Sequence, residues 1–530
     1  MWKKLLITGC MAFCLLSGGI LSAQPSCETK EEVTSEQLDR TQKGLVAMMK
    51  ELKNDSYFQA ELDKAAAQST PSKQMEAYKS LAARLLSVLE IQAELEWMKP
   101  EAIQEALGIM KKNSGFDAAL ADKRFGELKS LLAGGFDGIY TGDPQAVDKA
   151  NKALTLKRKL MLMSPDVNVD KMLTVKFDLG ERANFVGAGS LGIQPNNWSN
   201  LSSASRKNFK AQLVELSGLK SGDLSEKTLY KPAVDGSSVT DLVLNWDGKR
   251  LMFTALDTVR RWQVHELNID GGDARQVTNI PEPDLEFFDG TYLPDGRMLA
   301  ISNIGYQGVP CVNGSDAVGN MVLYDPSNGY LRRLTFDQDA NWHPVVMANG
   351  KVMYVRWEYT DLTHYFSRIV MHMNPDGTEQ KSLYGSGSMF PNSIFDVQPL
   401  PKRTNRFVGV ISGHHGVARS GRLMIFDPAK SRKEEKGMIQ ELPFRGRPII
   451  PEIKDELVNG VWPQFIKPYP LTDETFLVTA NLSPYSRWGV YLVDIYDNLT
   501  LVANADEAGM IYSVPVKSTP VPPAIPDRIK

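Results

Sequence analysis

Of the six histidines in this 530-residue chain, three fall within one short stretch and two are adjacent in another. The stretch Asn341 to Thr378, NWHPVVMANGKVMYVRWEYTDLTHYFSRIVMHMNPDGT, carries His343, His364 and His372, with Arg356, Glu358 and Asp361 between them. The second, ISGHHG, carries His414 and His415, and Arg419 follows. Neutral imidazole ligates zinc, copper, iron and nickel, so His343, His414 and His415 are candidate transition-metal ligands, with Glu358 or Asp361 as a carboxylate partner. Their spacing matches no local metal motif. The competing reading has His343 hydrogen-bonded within the scaffold and His414-His415 capping a glycine turn. A second chemistry centres on Arg356, Trp357, Glu358, Asp361, His364 and Arg419 as binding residues for an anionic or sugar-like ligand. Arginine offers a planar fork to carboxylates, tryptophan a stacking surface, and Glu358 with His364 an acid–base pair. Its rival is an internal Arg–carboxylate bridge. His265 and His372 fall inside strands and read as structural. No catalytic residue is assigned, since the chain has no Gly-x-Ser-x-Gly elbow, P-loop or His-Glu-x-x-His motif.

The elements that must hold these residues are short strands. HPVVM and KVMYVRW are apolar, β-branched runs joined by Ala348-Asn349-Gly350, a hairpin signal. SRIVMHM follows, and Asn374-Pro375-Asp376-Gly377 turns it back toward KSLY, giving four antiparallel strands. The unit recurs: DLVLNWDGKRLMFTA, GTYLPDGRMLAISN and PVVMANGKVMYVRW place Gly248, Gly296 and Gly350 at a blade-sized spacing. Weaker copies start at Val397 and Phe465, and the stretch from Ala211 reads as the second hairpin of a first blade whose inner strands lie between Leu173 and Leu191. Each copy has a second hairpin, such as MVLYDPSNGYLRRLT or GVYLVDIYDNLTLVA. The expected fold is therefore mainly β: a WD40-like β-propeller of six blades, or seven if the chain ends add one, preceded by an α-helical N-terminal domain. Ala503 to Val514 could supply a closing strand. Antiparallel pairing puts the start of each first strand and the end of each second on one face. His343, Arg356, Glu358, Asp289, Asn303, His414, Asn481 and Arg487 are expected there together.

Residues 1–23 read as a signal peptide: Lys3 and Lys4, an apolar run, then Leu21-Ser22-Ala23 as the cleavage site. Periplasmic or secreted localisation follows, with lipid attachment at Cys10 disfavoured by the short apolar run before it. After a leader (24–34), residues 35–163 show helical periodicity, 164–514 form the propeller, and 515–530 a loose Pro-rich tail. No segment after the signal is apolar enough to span a bilayer. A net charge of −3 disfavours nucleic acid as a partner. The mature chain keeps Cys27 and Cys311 and has no Cys-x-x-Cys-His, so no c-type haem attachment is expected.

GTYLPDGRMLAISN with GYQGVPC, LTFDQDANWHP, RWEYTDLTHYFSR, MNPDGT, ISGHHG and IFDPAK resemble hydrazine synthase alpha-subunit-like proteins of bacteria, from about Leu173 to Val502. The resemblance implies a secreted propeller. Members of that family that make hydrazine carry c-type haem, which this chain cannot attach, and Ile304-Gly305 stand where related sequences often have a further cysteine. The expected function is a haem-free propeller binding a ligand or protein partner on one face. The alternative is a metal-dependent enzyme, carbohydrate-active in its broader form, using the histidines of the same face.

Overall fold

The computed structural model describes residues 33–178, 200–204, 206–207, 209–310, 313–358, 367–413, 419–505 and 508–529. They form two compact units, one of residues 33–95 with 130–153, the other of 96–129 with 154–529.

In the smaller unit, α1 (Ser35–Met49) starts on a capping box, with Thr34 accepting from the Gln37 N–H and Gln37 answering to the Thr34 N–H. Its Leu45, Met48 and Met49 are buried, as are Leu81, Leu85, Leu86 and Leu89 of α3 (Pro71–Leu95), so the three- and four-residue spacing is core. Between them, α2 (Ser56–Ala66) packs on α3 through Phe58 and Leu62. The sequence reading took 35–163 as one helical domain, but α4 (Pro100–Met110) belongs to the larger unit. Asn498 there donates to the Ala102 carbonyl, and Arg445 forks onto Glu105. Helices α5 (Ala118–Leu132) and α6 (Pro144–Met161) cross the division.

The larger unit is mainly β. The strands come in fours: β1 (Lys171–Asp178), β2 (Lys210–Ser217) and β3 (Ser225–Tyr230) lack a first member, which the end of the chain supplies. Next are β4 (Val239–Leu244), β5 (Arg250–Leu256), β6 (Trp262–Asn268) and β7 (Arg275–Gln276). Then come β8 (Phe287–Tyr292), β9 (Met298–Ser302), β10 (Asn320–Asp325) and β11 (Tyr330–Arg333). The stretch singled out by its histidines is β12 (Asn341–Val346), β13 (Val352–Glu358), β14 (Ser367–Met373) and β15 (Lys381–Tyr384). The last two sets are β16 (Ser393–Pro399), β17 (Phe407–Ser412), β18 (Arg422–Phe426), β19 (Met438–Leu442), and β20 (Gln464–Pro470), β21 (Thr475–Asn481), β22 (Gly489–Asp494), β23 (Leu499–Ala503). Finally β24 (Ala508–Pro515) pairs antiparallel with β1, giving the order β24-β1-β2-β3. The sequence reading looked for the first set's inner strands between Leu173 and Leu191. The structure has β1 there, places the innermost strand in the segment named as a closing candidate, and leaves 179–199 outside the described residues.

Every set is antiparallel, and two join into an eight-stranded sheet through the parallel contact Arg368–Ser393. Successive first strands pack on one another: β4 on β8, β8 on β12, β12 on β16, β16 on β20, β20 on β24, and β24 on β4. Between the sheets lie apolar layers such as Trp342, Met353, Val355, Val370 and Phe395.

The tail expected to be loose is tied down. Thr519 N–H donates to the Trp246 carbonyl, Arg297 forks onto Asp527 at 2.7 and 2.8 Å, and Arg528 N–H reaches Asp376 at 2.6 Å. It passes the β12–β13 turn so closely that a Cβ on Gly350 (φ +82°) would lie 2.2 Å from the Pro523 carbonyl oxygen.

Candidate functional site

Each first strand carries a β-bulge at the same place. The register slips between Thr240 and Val243, Phe288 and Thr291, Trp342 and Val345, Phe395 and Gln398, and Ile466 and Tyr469. Opposite β24 it slips between Leu173 and Val175. Some bulges hold one residue in left-handed backbone, and here these residues are Asp241, Asp289, His343, Asp396, Lys467 and Tyr512, with φ of +56, +54, +53, +50, +49 and +73°. None is glycine, so each costs conformational energy that its surroundings must offset.

The offset is a circuit of hydrogen bonds between neighbouring strands. Asp241 N–H donates to the Tyr512 hydroxyl (2.6 Å), Asp289 N–H to Asp241 Oδ2 (3.0 Å), His343 N–H to Asp289 Oδ2 (2.6 Å) and Lys467 N–H to Asp396 Oδ2 (3.0 Å). Each acceptor belongs to a neighbouring bulge, so the side chains satisfy amides that the bulges release from the sheet ladders. Tyr512 N–H goes instead to Thr479 Oγ1 (3.0 Å).

Charge is balanced within the same group. The His343 ring lies between two carboxylates, Nδ1 3.3 Å from Asp289 and Nε2 3.3 Å from Asp396, and Lys467 Nζ is 2.9 Å from Asp396 Oδ1. Burial alone would push the Asp289 carboxyl up, but the adjacent His343 and Lys467 outweigh it and hold it at about 2. Asp396 is likewise held below the usual carboxylate range by Lys467 and His343 against the effect of burial. Asp241 moves the other way, raised by burial and by the Asp289 charge beside it. Burial opposes the Lys467 ammonium, yet Asp396 and the other carboxylates raise its pKa.

These six side chains line a cavity of about 330 Å³ extending from them toward the β4–β5, β16–β17 and β20–β21 turns. Its walls are apolar and stiff, with Trp246, Tyr292, Pro399, Pro401, Pro468 and Tyr469, while Lys517 and Thr519 of the tail also border it.

The residues singled out from sequence are distributed differently from the expectation. His343 is in the ring, held there because the bulge turns it onto the axis of the first strands. Arg356 makes the internal bridge, its Nε 2.7 Å from Glu358 and 3.1 Å from Asp337, and the Glu358 carboxyl is raised by burial. Trp357, one residue out of phase on β13 and therefore facing the other way, is 2% exposed. It stacks on Trp342, and the Arg368 guanidinium covers it at 4.2 Å, so it presents no open stacking surface. Arg419 is 4% exposed rather than open to a ligand. It packs on Trp342 and Phe395, just before the ring positions His343 and Asp396, and burial pulls its pKa down to about 10. Asp361, His364, His414 and His415 lie outside the described residues, as do Cys311 and the signal segment. Among the described residues no three His, Cys, Asp or Glu groups are placed to hold a metal, and both His343 nitrogens already face carboxylates. His265 is buried in β6, its Nδ1 3.0 Å from the Gln263 carbonyl oxygen, and His372 sits in β14, consistent with structural roles.

The ring itself was missed in the sequence. Its signal is positional: Asp241, Asp289, His343, Asp396, Lys467 and Tyr512 each stand four residues before the residue that enters the turn or leaves the strand, Asn245, Leu293, Met347, Leu400, Leu471 and Val516. Aligning the copies on their turn glycines began most of them after this column.

No family model matches the chain, and no curated protein does. Among solved structures, Kuenenia stuttgartiensis hydrazine synthase superposes with a TM-score of 0.50 at 14% identity, over 67% of this chain and 48% of that one. The chain thus spans about half the length of that protein. TolB from Acinetobacter baumannii follows at a TM-score of 0.30 and 15% identity, covering 55% of this chain and 67% of that chain. Oligogalacturonate lyase from Vibrio parahaemolyticus follows at 0.32 and 10%, covering 62% and 98%. The resemblance seen in the sequence therefore stands as one of fold, that of the β-propellers. No helix among the described residues is long and apolar enough to cross a membrane.

Proposed function

We propose that this protein is an exported, haem-free β-propeller of six blades, closed by β24 against β1, that binds a small polar ligand in its axial cavity. The packing of each first strand on the next supports six blades in a ring, and the signal-like residues 1–23 support export. One observation carries the binding reading: a cavity of about 330 Å³ with apolar and aromatic residues in its walls and a floor of polar, titratable side chains. Ligand sites combine such walls with a few convergent polar groups. Strained backbone at each floor position fits the same reading. The ligand would meet Lys467 and His343 as donors and the three carboxylates as acceptors. On this reading the ligand lies beyond the ring, toward the turns, whereas the sequence suggested the face at the start of the first strands.

The test is a thermal-shift screen of the full chain, purified without a metal-affinity tag, against metals, amines, amino acids and small glycans. A ligand at 100 times its Kd stabilises the native state by about 2.7 kcal/mol. The shift should vanish in His343→Gln, whose own folding is checked by circular dichroism. A ligand whose shift persists in that variant binds elsewhere and refutes the axial reading. A shift by transition metals alone would favour the metal-dependent enzyme instead.

A further inference from the structure

A second site lies away from the axis, on the connection between β9 and β10. This stretch, 303–319, is longer than its counterparts 257–261 between β5 and β6 and 482–488 between β21 and β22. Long connections in compact domains usually serve function. Its described part has a fixed shape. Val309 N–H donates to the Asp316 carbonyl and Val318 N–H to the Gln307 carbonyl, both at 2.8 Å. Gly308 and Gly314 touch so closely that a Cβ on Gly308 would lie 2.6 Å from the Gly314 Cα. At its base, Asn303 accepts from the Glu286 N–H and donates to the Asp284 carbonyl, each at 2.9 Å.

This framework presents Tyr306, which is 62% exposed and held at φ +49° by its N–H on the Asn303 carbonyl at 2.8 Å. A bulky residue in left-handed backbone is unusual. Tyr306 borders a cleft of about 500 Å³ whose other lining is mostly polar. The cleft's arginines are engaged: Arg206 holds Glu286 at 2.7 Å and Arg261 holds Asp257 at 2.8 Å. What remains to meet a ligand is the exposed Asp284 carboxylate, which has no partner among the described residues, the Nε2 donor of Gln307, whose Oε1 already accepts from Arg333 at 3.2 Å, and the Tyr306 ring.

We propose that this cleft binds a neutral pyranose ring, with Tyr306 as the stacking platform and Asp284 and Gln307 reading the hydroxyls. A pyranose has an apolar C–H face and a rim of groups that both donate and accept, so it needs an aromatic plane beside mixed polar partners. An anionic ligand would need an unpaired positive charge, and the arginines already have their carboxylates. The cleft volume falls in the range of roughly 300–1,000 Å³ typical of ligand sites. Fixing the loop in advance reduces the ordering cost of binding.

The test uses the full chain with the methyl glycosides of glucose, galactose and mannose and their disaccharides, followed by saturation-transfer NMR and calorimetry. At least one should bind. Tyr306→Ala should weaken it at least about tenfold, roughly 1.4 kcal/mol, whereas Tyr306→Phe keeps the ring and should keep the affinity. Tyr330→Ala, which removes an exposed tyrosine on β11, should change nothing. Tyr306→Gly, which relieves the left-handed backbone, should lose binding as Tyr306→Ala does, so a folding defect is not mistaken for a contact. Absence of binding across the panel, survival of binding in Tyr306→Ala, or binding confined to uronic acids would each overturn the proposal. The cleft shares no lining residue with the axial cavity, so His343→Gln should leave sugar binding intact.

Discussion

Replacing Lys467 by methionine tests whether the axial ring holds the first strands together. The ammonium lies 2.9 Å from Asp396 Oδ1, with side-chain exposures of 13% and 2%. At an effective dielectric constant of about 20, charges at that distance attract by roughly 6 kcal/mol. Desolvation takes back much of this, so the pair as such contributes little, but removing one partner strands the other. A buried charge left unpaired costs about 3–5 kcal/mol, and His343 shields Asp396 only from one side. Lys467→Met should therefore be destabilised by about that amount. Adding Asp396→Asn removes the stranded charge and keeps a side-chain oxygen to accept the Lys467 N–H. The double variant should recover about 2 kcal/mol or more of the loss, a coupling expected of residues in direct contact. Urea unfolding followed by tryptophan fluorescence reads this out, because every tryptophan among the described residues lies in the larger unit. If the double variant is as unstable as Lys467→Met, or worse, the pair is not coupled and the ring does not act as an electrostatic unit.

Three other outcomes follow from single contacts. Asp339 is buried, and its carboxyl is pushed up to about 6 by burial. The folded form then binds a proton more tightly than the unfolded one, so stability falls as pH rises from about 4 to 6 and stays lower above that. Asp339→Asn should match the parent near pH 4 and exceed it by up to about 3 kcal/mol at pH 7.5; equal urea midpoints at both values would contradict the sign. Arg297→Ala cuts the fork onto Asp527 and should speed hydrogen exchange of the Thr519 amide up to about fivefold, as a partly exposed pair permits; unchanged exchange would mean the tail is held elsewhere. Gly421→Ala would put a Cβ 2.0 Å from the Ile411 carbonyl oxygen and lose about 1–3 kcal/mol or more by overpacking, which an unchanged thermal midpoint would disprove.

Much of the architecture could be read before the structure was seen, because hairpin chemistry is local. Gly248, Gly296 and Gly350 all have positive φ at the turns their neighbours announce, and the outer hairpins fall where alternation and Asp-Gly or Asn-Gly signals put them. The candidate site was less legible. Arg356 and Glu358 looked like a ligand pair because sequence cannot show that Asp337 completes an internal bridge. Trp357 looked available because its burial depends on Trp342 and Arg368, brought there by the pairing of β12 and β14 with β13 in one sheet. The ring combines three aspartates with a histidine, a lysine and a tyrosine at one position, so no single residue type marks it in every copy. Only the bulge, a property of two strands together, gives these residues a common role.

The pairing of β24 with β1 sets the order in which this chain can acquire its structure. As the polypeptide is made, β1 precedes β24 by more than 300 residues, so the inner flank of β1 has no partner until Ala508–Pro515 has been synthesised. Contacts of such long sequence separation form slowly, and in the interval β1 exposes an edge able to recruit other chains. A ribosome that stops before Ala508 would release a product with nearly all its sheets and no seam, a species for chaperones or proteases rather than for function.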